Sequence, residues 1–185
     1  MTDVIRPRTA EDLPACVEVM RAVYATSGYP VQGTENALED LQTTTAAWVA
    51  VVDGVVVGHV AMSEARDDYA SVVVWRQRKQ QQQQEQQQHP NEDNKGDDDK
   101  LAILGWLYVH PDARKRGLAT KLINAVQEEA RRRGGLRLVM FALVKDQGAI
   151  RLYRSLGWVH YGNTVFRWGE GNEMAAECFA SPLDQ

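Results

Sequence analysis

Apolar positions along the chain follow two rhythms, and the change between them marks the elements. In "TAEDLPACVEVMRAVY", Leu13, Val17, Met20 and Tyr24 recur at helical spacing, so a helix is predicted there. Thr9 or Asp12 can cap it, and Pro14 falls in the first turn, where no helical N–H is needed. "DVIRP" before it is a short strand, and "GYPVQGTENALEDLQ" after it is a loop leading into a short helix. "AAWVAVVDGVVVGHVAMSEA" is two β-rich runs split at Asp53-Gly54, a strong hairpin signal. "LAILGWLYV" is continuously apolar and predicts a fourth strand buried in a sheet. "GLATKLINAVQEEARRRGG" is an amphipathic helix through Leu118, Leu122, Ala125, Val126 and Ala130, stopped by two glycines. "LRLVMFAL" is a fifth strand, "DQGAIRLYRSLGW" a second amphipathic helix, and "VHYGNTVFRW" and "EMAAECFASP" are closing strands. The order is that of an α/β chain forming a single domain over residues 1–185.

One segment interrupts this pattern. Residues 76–100, "RQRKQQQQQEQQQHPNEDNKGDDDK", hold no aliphatic or aromatic side chain, so they bury too little apolar surface to offset their ordering entropy. The Gln-rich part is able to continue a helix entered at Asp67–Trp75. After His89-Pro90 the composition is that of an acidic loop. The expectation is a solvated insertion between core elements, whose length costs little.

The net charge of −4 argues against nucleic-acid binding. Cys16 and Cys178 have no metal-ligand spacing, which fits a reduced compartment and no structural metal. There is no signal-like stretch at the N-terminus and no apolar run of membrane-spanning length. A cytoplasmic protein is expected.

Within this acidic chain, "HPDARKRGLATKL" places Arg114, Lys115 and Arg116 just before Gly117 and the start of a helix. Cations usually favour the other end of a helix. A helix N-terminus offers backbone N–H groups without internal acceptors and a positive dipole. Gly117 admits a close approach, Ala119 keeps the next contact small, and the three cations add full charges. A phosphate, or a diphosphate given the number of donors, suits this turn. Neither the nucleoside-triphosphate loop nor a three-glycine dinucleotide motif is present.

These residues carry a family resemblance. "LYVHPDARKRGLATKL" resembles the acyl-CoA motif R/Q-x-x-G-x-G/A of the GNAT superfamily of N-acyltransferases, with Arg114, Gly117 and Ala119 at its specified positions. "DQGAIRLYRSLGW" resembles the later family block, an Ala-containing helix with a tyrosine shortly before Gly-aromatic. The match covers residues 101–158. It implies an α/β fold of the α+β type: a mixed, mostly antiparallel sheet flanked by helices, with the fourth and fifth strands splayed. It also implies acetyl-CoA as the acyl donor. The pantetheine would pair with Leu107, Tyr108 and Val109, and the diphosphate would rest on the amides of Arg116, Gly117, Leu118, Ala119 and Thr120. Arg114 and Lys115 would add charge, and the acceptor would be bounded by the loop at residues 27–34.

The implied reaction moves an acetyl group to a primary amine of a small molecule or peptide by direct attack in a ternary complex. A lysine-like amine is mostly charged at pH 7, so neutralising it costs about 4–5 kcal/mol. Many family members use an acid on the fourth strand, but "LAILGWLYV" has no Asp, Glu or His. Glu64 and His59 on the third strand are the candidate bases. Tyr153 matches the tyrosine that protonates the CoA thiolate, and its alternative role is a core aromatic. A backbone N–H near Val109 would polarise the thioester carbonyl. Asp146 stands where the family often contacts the cofactor, and helix capping explains it equally well. The other reading, from a different class, is an acyl-CoA-binding sensor or scaffold without turnover. The expected partners are the amine acceptor and, as an allowed state, a second copy in a homodimer. Neither nucleic acid nor membrane is expected.

Overall fold

The computed structural model describes residues 2–88 and 100–182. The acidic loop expected after His89-Pro90 lies outside the described residues. The strands are β1 (Asp3–Pro7), β2 (Ala46–Val52), β3 (Val55–Glu64), β4 (Leu101–Val109), β5 (Arg137–Leu143), β6 (Val159–Trp168) and β7 (Asn172–Ala180). The helices are α1 (Leu13–Ser27), α2 (Ala37–Gln42), α3 (Ala70–Gln88), α4 (Leu118–Arg132) and α5 (Gln147–Ser155). The strands hydrogen-bond in the order β1-β2-β3-β4-β5-β7-β6. Pairs β1–β2, β2–β3, β5–β7 and β6–β7 are antiparallel, and β4–β5 is parallel. That parallel pairing runs over Leu101–Arg137, Ala102–Leu138 and Ile103–Val139. The mixed, mostly antiparallel sheet flanked by helices is therefore the observed fold.

The chain divides into two compact units, residues 1–64 with 104–133, and residues 65–103 with 134–185. In the first unit, Asp53 (φ 48°) and Gly54 (φ 83°) both take left-handed backbone and turn β2 into β3, as a tight hairpin demands. The inner face of α1 is Cys16, Val17, Val19, Met20 and Val23, packed with Leu41, Val49 and Tyr108. Tyr24 belongs to the predicted stripe but is 41% exposed, because the buried face is centred on Cys16 and Met20 and residue 24 falls at its margin. Helix α4 buries Leu118, Leu122, Ile123, Val126 and Ala130. Gly58 on β3 makes room for it: a β-carbon there would stand 3.3 Å from Leu122 Cδ1 and 3.2 Å from the Tyr108 carbonyl.

In the second unit, Val72 and Trp75 of α3 join Ile103, Val139, Tyr161 and Cys178 in one core. The helix starts at Ala70, later than Asp67, and is preceded by a turn in which the Tyr69 N–H donates to the Arg66 carbonyl at 3.1 Å. The Gln-rich run continues it as a helix, but its beginning is not simply solvated. The Arg78 guanidinium donates to the Tyr161 carbonyl at 3.0 Å, and the Lys79 ammonium lies 5.6 Å from the centre of the Trp75 ring. Tyr161 in turn donates its hydroxyl to the Ser71 carbonyl at 2.6 Å. Docking therefore extends past residue 76, and Gln80 to Glu85 are exposed.

Candidate active site

The candidate cofactor site lies in the first unit and is built by the way β4 hands the chain to α4. Pro111–Ala113 forms a 3₁₀ turn after the strand. Arg114 is extended, Lys115 is left-handed (φ 62°), and Gly117 is left-handed again (φ 72°) as the cap of α4. A β-carbon on Gly117 would meet nothing within 4 Å, so the space over it is open. The Lys121 N–H is bonded to the Gly117 carbonyl at 3.0 Å. The preceding N–H groups, of Leu118, Ala119 and Thr120, have no acceptor inside the helix. The turn can thus present several amides and a positive dipole end to one anion.

The cations around it are not equivalent. Arg114 turns its Nε back to the Val109 carbonyl at 3.4 Å. Arg116 donates to Asp3 Oδ1 at 2.6 Å, and Lys121 lies 3.6 Å from Asp3 Oδ2. Lys115 is exposed. The guanidinium expected to face a phosphate is therefore already held by an acid at the start of β1, while the Arg116 backbone N–H belongs to the turn.

Strand β4 runs unbroken from Leu101 to Val109 but carries one backbone irregularity. Trp106 has φ 53°, an unusual conformation for a bulky residue in a strand. Its carbonyl accepts from His59 Nδ1 at 2.9 Å. His59 is fully buried, stacks on Tyr108 at 5.2 Å, and meets an Arg8 guanidinium nitrogen at its Nε2 at 3.0 Å. A carbonyl only accepts and a guanidinium only donates, so the proton must sit on Nδ1 and the lone pair on Nε2. Burial is the main cause that lowers the His59 pKa to about 4, with the Arg8 charge also lowering it and the Trp106 bond opposing. The ring is neutral and its lone pair is used, which removes His59 as a base. Tyr108 donates to the Cys16 carbonyl at 3.1 Å, tying β4 to α1.

Glu64 ends β3 and is exposed. In the second unit, Tyr153 is buried, edge-on to Trp158 at 5.0 Å and stacked on Phe179 at 6.2 Å. Asp146 precedes α5, but its side chain caps nothing. It accepts from Lys145 at 2.8 Å, and its backbone carbonyl takes the N–H groups of Ala149 and Ile150. Capping by the carboxylate, one of its two expected roles, is not observed.

The left-handed backbone at Trp106 and the Arg8–His59–Trp106 chain are features that the sequence reading missed. Gly105 inside an otherwise apolar strand was the available signal, since glycine in a strand interior often marks an irregular backbone. Among the described residues, no group of three or more His, Cys, Asp or Glu could hold a metal ion, and no helix is long and apolar enough to cross a membrane.

The model of the acetyltransferase (GNAT) family matches residues 16–158. The chain belongs to that family. An uncharacterized N-acetyltransferase of Methanocaldococcus jannaschii is 40% identical over 59 residues, 32% of this chain and 26% of its own length, so the match spans about a quarter of that relative. An N-acetyltransferase from Staphylococcus aureus Mu50 superposes with a TM-score of 0.68 at 16% identity, over 100% of both chains. The structure of yncA from Salmonella typhimurium, determined with its cofactor acetyl-CoA, gives 0.67 at 20% identity, over 100% of this chain and 96% of the other. Arabidopsis thaliana NAA60, in complex with a bisubstrate analogue, gives 0.66 at 19% identity, over 97% and 98%. At these identities the likeness is one of fold.

Proposed function

We propose that this GNAT-family chain is an acetyl-CoA-dependent N-acetyltransferase, acting as one domain on a primary amine of a small molecule or peptide. The observation that carries the proposal is the left-handed turn at Lys115 and Gly117, which opens the first turn of α4 to an anion. The amides of Arg116, Gly117, Leu118, Ala119 and Thr120 hold the diphosphate, with charge from Arg114 and Lys115. The backbone of Leu107, Tyr108 and Val109 pairs with the pantetheine. Acetyl-CoA supplies the activated acyl group; the chain's own groups move the protons. Glu64, exposed at the end of β3, takes the proton the amine must lose, and the Tyr153 hydroxyl gives one to the departing thiolate. Asp146, already engaged by Lys145, has at most an accessory contact with the cofactor.

Calorimetric titration with acetyl-CoA tests this directly. Saturable binding is expected for the natural chain and is lost in Gly117→Glu, which sets a carboxylate against the diphosphate and a side chain on left-handed backbone. An amine panel scored by thiol release then separates an enzyme from a sensor. Binding without thiol release for any amine supports the sensor; no binding by the natural chain overturns both readings.

A further inference from the structure

The peptide plane between Trp106 and Leu107 is held from one side. Its carbonyl is bound by His59 Nδ1 at 2.9 Å, and in a trans peptide the N–H points opposite to the C=O. Pinning the Trp106 carbonyl therefore fixes where the Leu107 N–H points. The pin is itself secured. His59 is fully buried, stacks on Tyr108, and is kept in the Nδ1–H tautomer by the Arg8 guanidinium at its other nitrogen. Arg8 is anchored in turn through the Thr44 hydroxyl at 3.3 Å and by its own N–H on the Ala47 carbonyl at 2.9 Å. A buried imidazole with both nitrogens engaged is costly to arrange in a core. Here it coincides with the one strand residue among those described, apart from turn positions, that takes left-handed backbone without being glycine.

We propose that His59 is a positioning residue: by holding the carbonyl of Trp106, the left-handed residue of β4, it aims the Leu107 N–H at the acyl-CoA ligand, with Arg8 fixing the donor tautomer. This rests on the acetyl-CoA reading above for the identity of the ligand, and on geometry alone for the direction of the amide. Asn is the informative replacement at position 59. Its side-chain NH₂ can stand where Nδ1 stands and keep the bond to Trp106, whereas Leu removes it.

The test uses the full chain, labelled with ¹⁵N. In the natural protein, His59 should show a protonated Nδ1 and an unprotonated Nε2. The Leu107 amide resonance should move in His59→Leu and return in His59→Asn. Acetyl-CoA affinity should fall roughly tenfold in His59→Leu, the scale of one lost hydrogen bond, and recover in His59→Asn. Arg8→Met, which leaves the ring in place, should mix the tautomers and weaken binding in between. A natural protein with Nε2 protonated, or a Leu107 amide indifferent to His59→Leu, overturns the proposal. So does a folded His59→Leu that binds acetyl-CoA as the natural chain does. If His59→Leu does not fold, the Arg8→Met spectrum decides. If the natural chain ignores acetyl-CoA while the amide responds as expected, the cofactor reading fails and the positioning stands.

Discussion

Arg116 is bound to Asp3, 113 positions away in sequence, by a 2.6 Å contact. The pair places a carboxylate beside the turn proposed for a diphosphate. Replacing Asp3 with Asn frees the guanidinium and removes a repelling charge. Acetyl-CoA should then bind about two- to fivefold more tightly, as expected for a partly exposed ion pair of under about 1 kcal/mol. The gain should shrink as salt is raised. Titration at two ionic strengths checks it; unchanged or weaker binding would show that Asp3 holds Arg116 in its working position.

Tyr153→Phe keeps the ring that packs on Trp158 and Phe179 and removes only the hydroxyl. If that hydroxyl is the acid, kcat should fall by roughly 10²-fold or more while the KM for acetyl-CoA stays within a factor of two. Equal losses in thermal stability and activity would instead mark a core aromatic.

His59 gives acid sensitivity with a definite sign. Its pKa in the fold is about 4, below its ordinary value of 6.5, so the unfolded chain binds a proton that the folded chain refuses. Its contribution is intact above about pH 6.5 and declines as pH falls towards 4, by up to about 3 kcal/mol. The groups facing it are Arg8, Tyr108 and the Trp106 carbonyl, and burial pushes the Tyr108 hydroxyl up, away from that window. Asp12, whose carboxyl is held low by the Arg6 fork and the Thr9 donors, loses its share only at lower pH. Urea midpoints between pH 7 and 4 should fall for the natural chain and stay flatter for His59→Asn.

A β-carbon on Gly162 of β6 would stand 2.5 Å from Val74 Cγ1 of α3. Gly162→Ala should cost about 1–3 kcal/mol through overpacking, and Val74→Ala should restore part of it. Additive losses in a double-mutant cycle would mean that α3 yields to the intrusion without strain.

The helices and strands were legible because their burial is one-sided: the predicted stripe of α4 is buried at Leu118, Leu122, Val126 and Ala130, while Ala125 is only half-buried and Ile123, outside the predicted stripe, is buried. The conformation of the turn proposed for the diphosphate was legible for a different reason: its residues are contiguous, and Gly117 takes left-handed backbone at the start of α4. The features that could not be read join distant positions. Nothing in the local sequence says that Arg116 pairs with Asp3 or that Arg8 dictates the tautomer of His59. The second of these depends on strand pairing through Val49, which sits opposite Arg6 and His59. The absence of an acid on β4 was visible, yet the left-handed backbone at Trp106 was not, because it is held by a contact with His59 on another strand. Helix α3 begins three residues later than its composition suggests, after a turn closed by the Tyr69 N–H on the Arg66 carbonyl.

Among the described residues, Arg78 joins α3 to β6 of its unit through the Tyr161 carbonyl, and Lys79 closes on Trp75 of the same helix. The residues that seat the helix therefore precede the glutamine run at 80–84. A helix grows from its N-terminus in steps of 100° and 1.5 Å, so added or lost glutamines rotate and displace only the positions beyond them. A change in the number of glutamines therefore leaves the seat of Val72, Trp75 and Arg78 in phase with the core it meets.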